Sequence, residues 1–461
     1  MTSVTESISK AEEEQGGTVK TAVDQSSRGR GKARSRVVIL VVALIVAGVA
    51  AVAATGQTKT QKDVTITWMT FETPNLPASF WEDVRTRFEA ANPGISVKRL
   101  VTPSLDRDGY AKQLLASGQF PDVLQAITPQ DYVSQGLLYA FSPAEVASWH
   151  VTTPGAGTIG GKQYSIPNEA QVIPLVYYNK SIFAKLHLRI PTTWAQFLAV
   201  CKKIKAAGIT PLELGGSKDT WGSWIFLGGI FSTDVLGKDP NWIVQRKAGK
   251  VHFTDLLVKR AFTKWAALAK AGYFNKDALS LDYPHMQQEF LAGKAAMYPM
   301  GSWAASASAV GASKFGTGVF RIPTANGAIV EPDFAAGGVF VSAKSANLAA
   351  AKKLAQFWAL DKKTDDALAT NDAGLMTIKG YEPPSGLPAV YYQTAKLFTQ
   401  PSTATRKIKR VDVMFFNRGD RASAPGMDTY YAQAAQNILL GKSVDSQLKF
   451  LDVQWDKASR K

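Results

Sequence analysis

From Val64 onward the chain alternates between two hydrophobic periods, and no other feature constrains its fold as much. Val64 to Trp68 has the period-2, β-branched pattern of a strand. Phe80, Trp81, Val84 and Phe88 then recur at helical spacing, and Asn92-Pro93-Gly94 ends that helix. Ile95 to Leu100 reads as a second strand, Tyr110 to Ala116 as a helix stopped by Gly118, and Asp122 to Ala126 as a third strand. Strands alternating with helices predict an α/β sheet covered by helices.

The same alternation continues further along. Ile173 to Tyr178, Ala295 to Tyr298 and Val339 to Ser342 read as strands. Thr193 and Gln196 have the spacing of a capping box ahead of a helix with Trp194, Phe197, Leu198, Cys201 and Ile204 on one face. Further helices carry Leu257, Ala261, Trp265 and Leu268, then Leu354, Phe357 and Trp358, then Tyr430, Ala434 and Ile438. At 461 residues with 46% hydrophobic side chains, the chain is long enough for two or more domains with large cores. No internal repeat or low-complexity linker divides residues 62–461.

The first 61 residues stand apart. Residues 1–36 are polar, read as a disordered leader, and end in Arg28, Arg30, Lys32, Arg34 and Arg36. An uninterrupted apolar run covers 37–54 and contains Ala51-Val52-Ala53, a small-x-small exit. The run has the features of a signal-peptide core and nearly the length of a membrane-spanning anchor. Cleaved or retained, it puts the rest of the chain outside the cytoplasm, with 55–61 as a tether. No cysteine follows the run to carry a lipid.

Composition excludes several chemistries. A single cysteine rules out a disulfide framework and a cysteine-rich zinc site, and four scattered histidines match no local metal motif. Gly155-Ala156-Gly157-Thr158-Ile159-Gly160 has the letters of a dinucleotide fingerprint, but Thr153-Pro154 precedes it and Lys162 to Ile166 reads as a strand where a helix is required. Gly441-Lys442-Ser443 lacks the first glycine of a phosphate loop, because Gln436 stands there. No nucleophile-elbow serine is present. These readings predict a protein that is not an enzyme and needs no cofactor or metal. Lys and Arg outnumber Asp and Glu by 53 to 37, for a formal charge of +16. In an exported protein that charge meets a membrane or wall surface rather than nucleic acid. The local cluster Arg406, Lys407, Lys409 and Arg410 reads as a solvated face.

Five segments resemble one family in its order. They are Ile66-Thr67-Trp68 with Phe88 to Ile95; Leu115 to Gly118 with Pro121-Asp122-Val123; Tyr164 to Pro167 with Val176 to Lys180 and Pro191 to Trp194; Phe290 to Met297 with Gly301-Ser302-Trp303; and Gly337-Gly338-Val339 ahead of the Lys352 to Leu360 helix. Together they are similar to the extracellular, or periplasmic, solute-binding proteins of ABC importers, specifically the sugar-binding family 1 group that includes the maltose-binding protein. The resemblance implies an α/β, two-lobe, type II periplasmic-binding-protein-like fold with an inter-lobe hinge and a ligand cleft. By analogy the first lobe takes 62–170 plus 320–376, and the second takes 171–319 plus 377–461. It also implies a sugar or oligosaccharide ligand, ABC permease membrane subunits as partners, and a monomer. The absence of a lipid-bearing cysteine departs from the pattern common in single-membrane bacteria.

Sugar recognition needs aromatic planes and carboxylates or amides, since a buried group left unpaired by the wrong ligand is costly. On the resemblance, Trp303 takes the place of a ligand-stacking tryptophan, and Glu169 that of a ligand-contacting glutamate at the first crossing. Trp68, Phe71 and Glu72 close the first strand toward the expected cleft, with Glu72 favoured over Phe71 for contact. Gln125 lies at a strand's C-terminal end, where α/β sheets bind ligands. Trp221 and Trp224 follow a Gly-Gly-Ser loop, and Asp333 and Gly338 complete the candidate set. The loop Asn371 to Gly374 borders it. Ala126 and Pro129 stand where the maltose-type pattern has sugar-contacting residues, so maltose itself is not carried over. Two other readings share the pattern: a binding protein for a non-sugar solute such as a polyamine, and an exported carbohydrate-active enzyme using paired carboxylates. The charge alone suggests a third, a wall-polymer or surface interaction protein.

Overall fold

A computed structural model describes residues 63–217, 221–334, 338–413 and 419–459. The leader, the apolar run at 37–54 and the tether at 55–61 lie outside the described residues, as does Gly337. Among the described residues no helix is long and apolar enough to cross a membrane.

The chain builds one lobe, leaves it, returns, and leaves again. It begins with β1 (Val64–Thr70), β2 (Ile95–Val101) and β3 (Val123–Gln125), all parallel. It crosses on β4 (Glu169–Val172) and lays down β5 (Leu175–Asn179), β6 (Thr210–Leu212), β7 (Ala295–Met300) and β8 (Thr317–Arg321). It returns on β9 (Ile329–Phe334), adds β10 (Val339–Val341) to the first lobe, and crosses again on β11 (Leu375–Met376) toward β12 (Ile408–Asp412). Three four-stranded sheets result: β10-β3-β1-β2 in the first lobe, β6-β7-β5-β8 in the second, and β11-β4-β9-β12 between them.

The return crossing comes later than the 320 boundary expected from the resemblance. All five residues of β8 pair with β5, from Thr317 opposite Asn179 to Arg321 opposite Leu175, so this strand belongs to the second lobe. The strand expected over Lys162 to Ile166 contributes only isolated bridges, and the glycines before it form a turn in which Gly157, Gly160 and Gly161 have positive φ.

The amphipathic patterns explain where the helices pack. The Ala78–Ala91 helix buries Phe80, Trp81, Val84 and Phe88, the four positions the periodicity selects. With Trp68 and Trp358 they form the first lobe's core, where Trp81 stacks on Trp358 at 4.8 Å. The Trp194–Ala206 helix starts with the predicted capping box, Thr193 accepting from the Gln196 N–H. It buries Cys201 completely, so the thiol is a core group whose pKa burial pushes up. The second lobe's core is larger and gathers Trp194, Trp242, Trp265 and Trp455 around the Trp221–Phe231 helix. That helix is apolar on every side and runs directly into a π-helical turn, Ser232–Leu236.

The middle sheet holds a chain of charges. Glu331 on β9 is fully buried and pairs with Arg321 at 2.6 Å and Arg410 at 3.5 Å, and Arg410 also approaches Asp333 at 3.7 Å. The Arg406 to Arg410 cluster is therefore partly structural: Arg410 also donates to the Phe398 carbonyl, and Lys409 to that of Gly237.

Candidate functional site

Register places the business end of each lobe. In the first lobe Met69 lies opposite Leu124, and Val339 opposite Gln125. Phe71, Ala126 and Gly338 therefore emerge at one edge, the C-terminal end of the parallel strands. In the second lobe parallel β6 and β7 set Leu212 opposite Met297. The segments that follow them, running to Trp221 and to Trp303, leave from a common edge as well.

These edges meet. Asn75, in the loop after β1, is buried and its side-chain amide donates to the Trp303 carbonyl at 3.1 Å and to Asp372 Oδ1 at 3.0 Å. Other bonds join the lobes as well: Gln130 Nε2 donates to the Gly419 carbonyl at 3.1 Å, the Gly160 N–H to Asp420 Oδ1 at 3.0 Å, and Ser308 Oγ to the Asn371 carbonyl at 3.2 Å.

Trp303 and Trp221, both expected ligand contacts, lie against each other. Both are half-buried, and their rings meet edge to face with centroids 6.0 Å apart. Tyr283 extends the group, 5.1 Å from Trp221. A glycine underlies Trp303 for a steric reason: a Cβ on Gly301 would sit 2.0 Å from the indole ring.

Carboxyl groups border this aromatic group. Asp372 is half-buried and accepts a hydrogen bond from Asn75. Burial raises its pKa to about 8, the charge of Glu169 adds to the shift, and the Asn75 hydrogen bond opposes it. Glu169 opens β4, half-buried, with one carboxylate oxygen accepting from Gln171 at 3.1 Å. Asp365 is buried beside them and is likewise pushed up to about 8, chiefly by burial.

The opposite side of the first-lobe edge holds Arg107 and Phe71. The guanidinium lies 4.7 Å from the Phe71 ring centroid, and its Nε donates to the Ala126 carbonyl at 3.1 Å. Ala126 has φ 52° and Ala373, beside Asp372, has φ 47°. Left-handed alanines are strained, and both stand in segments that border the site. Gln125 is buried against Gly338, and among the described residues its Nε2 has no hydrogen-bond partner. Such a donor is a ready contact for an incoming acceptor.

Other expected residues lie elsewhere. Trp68 is fully buried, edge to face with Trp81 at 5.4 Å and Trp358 at 5.7 Å. It sits two residues before the strand end, on the side that packs under helices, and offers no surface to a ligand. Trp224 is 4% exposed and lies in the second lobe's core, one turn inside the helix whose first residue is Trp221. Glu72 is exposed and leans back over β2 to pair with Arg99 at 3.1 Å, so that Phe71 is the residue turned toward Arg107. Asp333 belongs to the middle sheet, where burial raises its pKa to about 7 against the opposing charge of Arg410.

Asn75 and Arg107 went unread in the sequence. Asn75 stands in Pro74-Asn75-Leu76-Pro77, a polar side chain in a proline-bounded loop directly after β1, and that position was its only signal. Among the described residues no group of three or more His, Cys, Asp or Glu side chains is placed to hold a metal ion.

Comparison with known proteins bears on the family and the fold. The family model described as bacterial extracellular solute-binding protein matches residues 72–364. A "Multiple sugar-binding protein" of Streptococcus mutans is 29% identical over 280 residues, covering 59% of this chain and 65% of the relative. A "Probable sugar-binding periplasmic protein" of Mesorhizobium japonicum is 24% identical over 231 residues, 48% of this chain and 54% of the relative. The chain thus spans less than two thirds of either relative's length. Among solved structures, a "Chitin oligosaccharide binding protein" superposes with a TM-score of 0.72 at 22% identity, covering 86% of this chain and 99% of the other. With the family model covering more than half its length, the chain belongs to the bacterial extracellular solute-binding proteins, a family placed outside the cytoplasm and built on the two-lobe α/β fold described above.

Proposed function

We propose that this protein captures a sugar or short oligosaccharide between its lobes and delivers it to the membrane permease of an ABC importer. One observation carries the reading: the half-buried Trp303–Trp221 pair is bordered by an amide and carboxyls, Asn75, Asp372 and Glu169. Indole faces stack on the C–H faces of a pyranose, and planar polar groups pair with its hydroxyls. Because its pKa is raised to about 8, Asp372 is largely protonated at neutral pH. A neutral carboxyl can donate to a hydroxyl, and it attracts a polyamine less than a carboxylate would. The relatives' names, both sugar-binding, support the same reading. Closure about the middle sheet would bring Phe71, Arg107, Gln125 and Gly338 to the ligand's other side. The apolar run at 37–54 serves, in this reading, either to export the chain or to hold it at the outer face of the membrane.

The test is a thermal-shift and calorimetric screen of mono- and oligosaccharides with polyamines alongside, on the wild-type protein and Trp303→Ala. Ligand that binds only the folded state raises the melting temperature. The reading requires a shift with one sugar class, no hydrolysis product, and loss of that shift in the variant. A response to polyamines alone would replace the ligand class, and accumulating product would make the protein an enzyme.

A further inference from the structure

Charge is distributed unevenly along the chain, and folding gathers it. From Ala170 to Leu212 there is no Asp or Glu, while Lys180, Lys185, Arg189, Lys202, Lys203 and Lys205 all fall within the run. A second acid-free run lies between Asp255 and Asp277 and carries Arg260 and Lys270 among others. The two runs form neighbouring helices of the second lobe, Trp194–Ala206 and Leu256–Lys270. Lys205 Nζ donates to the Ala271 carbonyl at 2.6 Å, and Lys264 Nζ lies 4.5 Å from the Trp194 ring centroid, so the helices lie side by side.

Both helices turn their cations outward. Lys202, Lys203, Arg260 and Lys270 are exposed, and among the described residues none has a carboxylate within ion-pair distance. The same helices do pair cations where acids are at hand: Lys259 bonds Asp445 and Lys264 bonds Asp234, each at 2.7 Å. Between the free cations stand small exposed side chains, Ala199, Thr263 and Ala267. The Lys202 to Lys205 end of the first helix precedes β6, whereas Trp221 follows it. Lys202, Lys203 and Lys270 therefore lie at the far end of the lobe from the aromatic group, while Arg260, one turn before Lys264, lies toward the Trp194 end of the face.

We propose that this face is a docking surface for anionic lipid headgroups at the outer side of the cytoplasmic membrane. Flexible ammonium and guanidinium groups spaced over two helices do not by themselves form the shape that picks out one protein partner. A fluid sheet of phosphates adapts to that spacing, and each cation near it adds attraction that decays within a Debye length. The proposal does not depend on the identity of the ligand in the cleft.

The experiment is vesicle flotation of the full chain, with phosphatidylglycerol-containing and pure phosphatidylcholine vesicles compared at low and high salt. Three proteins are compared: wild type, Lys202→Glu/Lys203→Glu/Arg260→Glu/Lys270→Glu, and a control with the same charge change on the first lobe, Lys98→Glu/Lys162→Glu/Lys353→Glu/Lys363→Glu. The wild type should prefer the anionic vesicles and lose that preference in salt. The second-lobe variant should lose about tenfold or more in partitioning while the control stays near wild type. Circular dichroism confirms that each variant is folded. Equal loss in both variants would reduce the effect to net charge and overturn the proposal. So would equal binding of the wild type to neutral vesicles, or retention on a soluble polyanion such as polyglutamate with no preference for anionic vesicles.

Discussion

The side-chain amide of Asn75 donates one hydrogen to the main-chain carbonyl of Trp303 and another to Asp372. One residue of the first lobe thus holds both the loop bearing the aromatic group and the carboxyl of Asp372. Its carbonyl oxygen is buried without a partner among the described residues. Asn75→Ala should therefore weaken ligand binding by about tenfold, the worth of one or two hydrogen bonds, with a stability loss of about 1–2 kcal/mol. Asn75→Asp should cost more at pH 8 than at pH 5, because it sets a second carboxyl against Asp372. Calorimetric titration with the ligand found in the screen, and melting at the two pH values, check both outcomes.

Gly301 tests the placement of Trp303 without touching the indole. Its Cβ would overlap the ring at 2.0 Å, so Gly301→Ala must move Trp303. The expected result is a loss of about tenfold or more in affinity with the melting temperature within a few degrees of wild type. An unchanged affinity would remove Trp303 from the site.

Trp68 gives the converse test. It packs against Trp81 and Trp358 away from any cleft. Trp68→Phe should cost about 1–3 kcal/mol in denaturant unfolding and leave the dissociation constant alone.

Glu213 is a pH-dependent liability in the second lobe. It is 2% exposed, and burial together with the nearby charges of Asp277 and Glu289 raises its pKa to about 8, with Lys294 opposing. A carboxyl whose folded pKa lies above its unfolded value favours the folded state while protonated. That contribution is complete below about 4.5 and is lost as pH rises toward 8. Glu213→Gln removes the ionisation, so the variant should exceed wild type by about 1–3 kcal/mol at pH 8 and match it near pH 4. Melting curves across that range decide it.

Glu331 should behave differently, because it is buried with its counter-charges. Glu331→Ala leaves Arg321 partly buried without its carboxylate, at an expected cost of about 3–5 kcal/mol. The middle sheet would soften, and domain closure measured by small-angle scattering with and without ligand should become less two-state.

The helices were legible because their patterns are local. Phe80, Trp81, Val84 and Phe88 repeat at a helical spacing whatever they pack against, and Thr193 caps with Gln196 three residues away. The middle sheet was not legible. β11 has two residues, and β9 carries Glu331, Pro332 and Asp333 in its interior, which no strand pattern predicts. The charge on Glu331 is tolerated only because Arg321 and Arg410 arrive from elsewhere in the chain. Of the expected contacts, Trp303 and Trp221 lie together, with a glycine turn before one and a glycine-rich loop before the other. Trp68 and Trp224 misled because type and proximity to a strand or helix end do not tell which way a side chain points; one residue of slip turns it into the core. Asn75 escaped because its role depends on Trp303 and Asp372, 228 and 297 positions away.

The late arrival of β10 has a consequence for biogenesis. This strand pairs with β3 in the first lobe's sheet, yet it is made only after every strand of the second lobe's sheet. A chain emerging N-terminus first cannot finish its first lobe until Val341 is out, and its second lobe still waits for Trp455, buried in that core on the final helix. Neither lobe can therefore reach its native core on a nascent chain that is only half made, and a passage through a translocation channel begun early meets an unfolded polypeptide.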